Sequence, residues 1–187
     1  MILSFEGHTP EIGEGTYISP TATVVGNVKI GRSCYIGHGA VVRGDYSRIE
    51  IGDFTSVEEG VVVHAPPDTV AQIGEHVTIG HNAVAHSRFI DDWAVIGMCS
   101  VTSIGSRIGR WAVIAEGAVV KQRAEIPDDT VAAGTPAVPI RPVSDKEKEL
   151  WTGVKELYNG LAGRYLTDSE VIGQHPLHID HLKEELP

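Results

Sequence analysis

The sequence predicts an all-β solenoid with triangular coils, followed by a C-terminal α-helix. Three observations predict it. Aliphatic anchors recur every six residues, the chain carries 21 Gly against 6% aromatics, and one stretch near the C-terminus changes to helical spacing. A core built from such a composition is filled by aliphatic and small side chains.

The repeat is read first, because missing it spoils every later assignment. Ile12, Ile18, Val24, Ile30, Ile36 and Val42 stand six apart without a break, with Gly after the anchor in three of these units. Ile51, Val57, Val63, Ile73, Ile79 and Ala85 continue the pattern with slips. Ile90, Ile96, Thr102, Ile108, Ile114, Val120 and Ile126 then form a second unbroken run, in which Thr102 is the polar member. Four residues after an anchor the side chain is usually small, as at Cys34, Ala40, Thr55, Ala83, Ala94 and Ala112. Short β-branched strands with two inward positions per unit and glycine corners describe a parallel solenoid, about three units to a coil. A sandwich would instead alternate with period two and turn about every 8 to 12 residues.

The solenoid is assigned to residues 1–140 and the remainder, 141–187, to a connector, a helix and a polar tail. Pro127, Pro136, Pro139 and Pro142 are expected to end the strand pattern, since proline offers a ladder no donor. Ser144 and Glu147 form a capping box, and Leu150, Val154, Leu157, Leu161 and Tyr165 follow at helical spacing. A helix over about residues 145–166 is expected to lay that apolar face on the solenoid. The tail carries His175, His178 and His181, interrupted by Pro176, and reads as solvated.

A net charge of -10 and a pI near 5.3 exclude nucleic acid and anionic membranes as main partners, because both require clustered Lys and Arg. No apolar run approaches the roughly 20 residues of a spanning helix, and the N-terminus lacks a signal-peptide pattern. The expectation is a soluble, unprocessed, cytoplasmic protein. Cys34 and Cys99 form no Cys-x-x-Cys pair and are expected to be small buried thiols.

Chemistry concentrates between His64 and His86. Three neutral imidazoles are a common zinc set that leaves a position for water. Ten residues separate Val63 from Ile73, so the segment around Ala65-Pro66-Pro67-Asp68 holds four extra. One coil plus that loop spans the 22 positions between His64 and His86, each directly after its anchor. The two imidazoles therefore stack on successive coils at about 4.8 Å and can share one ion. His81 stands two residues past Ile79, across a corner, so it is expected to reach the ion of a neighbouring chain in a homotrimer. The same arithmetic stacks Arg43 beside His64 and Glu59 beside His81, with His38 one coil further, so that Glu58 and Glu59 form the opposing wall. His8, His38 and His76 are read as surface histidines without a metal role, and Trp93, Trp111 and Trp151 as packing or interface anchors.

Val42-Arg43-Gly44-Asp45, Ile79-Gly80-His81, Ala85-His86 and Ile96-Gly97-Met98, set on this repeat, resemble the gamma-class carbonic anhydrases of the hexapeptide-repeat superfamily. The resemblance covers about residues 10–140 and implies a left-handed parallel β-helix. It further implies an intersubunit metal, zinc with iron or cobalt as alternatives, on His64, His81 and His86. Arg43 and Asp45 would belong to the cleft and its cross-subunit ion pairing, with Arg43 facing Glu59 of the neighbour. The implied reaction is reversible hydration of carbon dioxide to bicarbonate by hydroxide formed at the metal, with a carboxylate such as Glu58 taking the proton.

The chain departs from that family where Glu58 and Glu59 replace the usual Gln and Asp, where Ser87-Arg88 replaces Gly-Cys, and where the long acidic loop is missing. Three alternatives share the fold: an acyl-CoA thioesterase-like relative, a non-catalytic trimeric scaffold that keeps the metal, and a metal-free hexapeptide acyltransferase. Metal content separates the last from the others.

Overall fold

The computed structural model describes residues 1–170. Its strands form two sheets around one aliphatic core. A twelve-stranded sheet bends round a corner to make two faces of the solenoid, and an eight-stranded sheet makes the third. Every coil-to-coil pairing is parallel and in register with the six-residue anchors. Ile18, Ile36, Val57, Ile79, Ile96 and Ile114 line up on one face. Val42, Val63, Ala85, Thr102 and Val120 line up on the second, and Ile30, Ile51, Ile73, Ile90, Ile108 and Ile126 on the third. Nearly all of these are buried, together with Cys34, Ala40, Ala83, Ala94 and Ala112. Aliphatic columns capped by small residues thus fill the triangular interior, and they do so because the period repeats the same shape on every coil.

The corners are equally regular. Phe54, His76, Trp93 and Trp111 occupy the left-handed backbone region at one corner of successive coils. Their rings stack with centroids 4.9, 4.1 and 4.8 Å apart. At the same corner Asp53, Asp92 and Asp128 each accept the backbone N–H of Arg32, Glu75 and Arg110 on the coil before. His76, Trp93 and Trp111 are therefore corner packing.

Several expectations are corrected. The strands Thr23–Ile30 and Val41–Ile51 run through a corner without a turn, and the three extra residues after Val42 are absorbed by a bulge between the pairs Gly26/Gly44 and Val28/Ile49. The prolines do not end the strand pattern. Ala137–Pro142 pairs antiparallel with Thr130–Gly134, carrying the sheet past residue 140. Proline is tolerated there because, among the described residues, the strand is an edge with no further partner to receive its N–H groups. Cys34 is buried, but Cys99 is exposed at a corner.

The helix spans Asp145–Asp168 and starts on the complete Ser144/Glu147 capping box. Only the C-terminal end of the expected apolar stripe docks: Leu161 and Tyr165 pack on the solenoid, whereas Leu150 and Leu157 are 62% and 68% exposed. Lys155 and Ala162 are buried instead, with Tyr158 and Tyr165 against Tyr17 and Tyr35. The sheet face below offers tyrosine rings and the Ser56 and Thr78 hydroxyls rather than an aliphatic surface, so the matching helix face is polar and aromatic. His175, His178 and His181 lie outside the described residues. Among the described residues no helix is long and apolar enough to cross a membrane.

Candidate metal centre

His64 ends the strand Val62–His64, directly beside Arg43 in register, and His86 follows Val84–Ala85 on the next coil. The backbone of His86 is held by Thr102, whose carbonyl and Oγ1 both accept its N–H, so the polar anchor has a task in the core. His64 Nδ1 and His86 Nε2 face each other at 2.7 Å with ring centroids 4.8 Å apart. His64 Nε2 is buried and has no hydrogen-bond partner among the described residues, the 3.5 Å to Asp45 Oδ1 being too long for a good bond.

Both imidazoles titrate below their ordinary range. Burial is the main cause for each; Arg43 adds to it at His64, and His64 and then Arg43 add to it at His86. They are therefore neutral at neutral pH, the form that binds a metal. Two neutral imidazoles on adjacent coils, one of them with a buried nitrogen, His64 Nε2, that has no partner among the described residues, fit a divalent ion bound through imidazole.

Arg43 Nη1 donates to Asp45 Oδ2 at 2.7 Å, and Asp45 Oδ1 also accepts the Tyr46 backbone N–H at 3.1 Å. Burial pushes the Asp45 carboxyl up, yet the Arg43 guanidinium outweighs it and the group titrates below its ordinary value. Within the chain, then, Arg43 is paired with Asp45.

His81 lies across the corner, in one column with Glu59 and His38. Its Nδ1 is 2.8 Å from Glu59 Oε2 and its Nε2 is 3.2 Å from Glu58 Oε2. Tyr35 donates its hydroxyl to Glu59 Oε1 at 2.7 Å. Burial raises Glu59, but this bond and the bonds and charges around it hold it below its usual range. Glu58 is 5% exposed and titrates above its ordinary value through burial, against the pull of His81 and of a hydrogen bond from Tyr158. Among the described residues of one chain, no three His, Cys, Asp or Glu side chains converge closely enough to hold an ion. The chain thus brings His64 and His86 together and keeps His81 apart.

One neighbour of this site is absent from the sequence reading. Lys155, 2% exposed on the helix, donates from Nζ to Thr78 Oγ1 at 2.9 Å and to the Ala94 carbonyl at 3.3 Å. The signal was a second helical stripe, Trp151, Lys155, Tyr158, Ala162 and Tyr165, hidden behind the stronger leucine stripe.

Comparison with known proteins agrees with this architecture. Residues 9–44 match the family model for bacterial transferase hexapeptide (six repeats). The carnitine operon protein CaiE of Escherichia coli K12 is 34% identical over 161 residues, covering 86% of this chain and 82% of CaiE. Gamma carbonic anhydrase 2 of Arabidopsis thaliana mitochondria is 33% identical over 145 residues, 74% of this chain. The match spans only about half of that plant protein, 52% of its length. Among solved structures, a Bacillus cereus protein described as an acetyltransferase is 31% identical and superposes with a TM-score of 0.85, covering 88% of this chain and 96% of its own.

Proposed function

The chain belongs to the hexapeptide-repeat, left-handed β-helix family as a gamma-carbonic-anhydrase-like member, and from that premise we propose that it catalyses reversible hydration of carbon dioxide to bicarbonate as a homotrimer. The observation that carries the proposal is the facing pair of neutral imidazoles, His64 and His86, with a buried unpartnered nitrogen beside them. In this reading His64 and His86 of one chain and His81 of the next hold zinc, iron or cobalt. Such an ion, when bound, supplies a water that loses its proton near pH 7.

The other side chains have roles that follow from their contacts. Glu59 holds His81 through Nδ1, which fixes the ring's orientation, and Nε2, the atom that would bind the ion, stands 3.2 Å from Glu58 Oε2. Glu58 accepts a proton at its carboxylate, and its elevated affinity for protons suits a base working nearer to neutral pH. Asp45 keeps the Arg43 guanidinium in place, and that cation adds to burial in keeping the His64 imidazole uncharged.

The test is stopped-flow carbon dioxide hydration on protein reconstituted anaerobically with zinc, iron or cobalt, with metal per chain measured in parallel. Hydration should follow metal loading and fall at least 100-fold in His86→Ala. Full loading with no hydration by any metal would overturn the proposal and favour the thioesterase-like or scaffold alternative.

A further inference from the structure

An open cleft of about 520 Å³ lies beside the imidazole pair and takes no part in holding it. Tyr46 separates the two. It lines the cleft, and its ring meets the His64 ring edge-on at 6.2 Å. The far wall is Arg88 and Phe89, which follow His86 and Ser87, Phe89 beginning the next strand. The guanidinium of Arg88 lies over the Phe89 ring at 5.0 Å, which orients it without neutralising it. Among the described residues Arg88 has no carboxylate within salt-bridge distance, whereas Arg48 in the same cleft is bound to Glu50 at 2.7 Å. Between these walls Val70 adds an apolar surface, 38% exposed on its strand.

The remaining wall is the inserted loop. Thr69 donates its backbone N–H to Ser47 Oγ at 3.3 Å and its hydroxyl to the Pro66 carbonyl at 2.7 Å, so the loop is pinned to the rim. Asp68, at its exposed tip, contributes the opposite charge at the edge.

We propose that this cleft binds a small organic carboxylate, its carboxylate on the Arg88 guanidinium and its hydrocarbon part against Phe89 and Val70. Three features point to that class. An oriented guanidinium, unpaired among the described residues, presents the planar fork that matches a carboxylate. The apolar wall has no use for a bare inorganic anion. A space of this size matches the roughly 300–1,000 Å³ of organic-ligand sites and far exceeds what carbon dioxide or bicarbonate fills. The inference does not depend on the metal reading, because none of its contacts uses a histidine.

The test is calorimetric titration of the metal-free full chain with hexanoate, hexanamide and inorganic phosphate. Hexanoate should bind at one per chain, at least ten-fold tighter than either of the other two. Arg88→Met should weaken hexanoate at least ten-fold. Val70→Asp, at an exposed position, should do the same from the apolar wall, and an unchanged melting temperature in either variant certifies the fold. Equal affinity for hexanoate and hexanamide, phosphate binding as tight as hexanoate, or full hexanoate affinity in Arg88→Met would each overturn the proposal. Loss of hydration with intact hexanoate binding would separate failure of the catalytic reading from failure of this one.

Discussion

Lys155 is a cation placed where a cation is costly. Burial pulls its amine down from 10.5 to about 7, against an upward pull from the Glu58 charge. In the unfolded chain the amine regains its ordinary affinity, so between pH 7 and 10.5 the unfolded state binds more protons than the folded one. Stability should therefore rise with pH across that window, by up to about 1.4 kcal/mol per pH unit from this group, while below pH 7 the penalty is fully present and constant. Lys155→Met should raise the denaturant midpoint at pH 7 and flatten the slope between pH 7 and 10. An unchanged slope in denaturation curves measured across that range would show that another group titrates there. Arg43 illustrates the opposite case, a half-exposed cation whose partner Asp45 sits beside it in the same strand.

At the scale of one coil, the stacking distance is so short that backbone meets backbone at the corners. A Cβ built on Gly97 would stand 2.5 Å from the Ile114 carbonyl oxygen and 2.7 Å from the Glu116 nitrogen, both main-chain atoms that cannot swing aside. Gly97→Ala should therefore force two coils apart and cost about 1–3 kcal/mol or more, read as a lowered midpoint in equilibrium denaturation. Gly153→Ala, on the outer surface of the helix with nothing within 4 Å of the new methyl, is the control and should be neutral or slightly stabilising. The helix obeys a different rule from the coils. It docks where Ala162 lets it come close and tyrosines interleave, and it leaves Leu150 and Leu157 outside.

For the whole molecule the decisive prediction concerns assembly. If the ion is shared between chains, His81→Ala should leave a trimer by analytical ultracentrifugation and reduce bound metal from one per chain to less than a tenth of that. A monomeric protein that still holds one ion per chain would contradict the shared site. The geometry that motivates the experiment is that His64 and His86 stand 2.7 Å apart while His81 is engaged with Glu58 and Glu59 around the corner.

The sequence by itself determined the solenoid, because a period of six places the same residue types on the same face of every coil, and a parallel in-register stack needs nothing else to define its core. It also determined that His64 stacks on His86 and Arg43 on His64, since those follow from counting residues against anchors. Counting could not reach what depends on surfaces meeting. The edge strand with prolines exists because its outer side has no partner among the described residues, and the helix face was chosen by the tyrosine-rich sheet beneath it. The burial of Lys155 and the Arg88 charge left unpaired among the described residues arose the same way. Each of these was decided by which side chains the tertiary structure brings within about 4 Å of one another, a distance that sequence spacing encodes only inside the repeat.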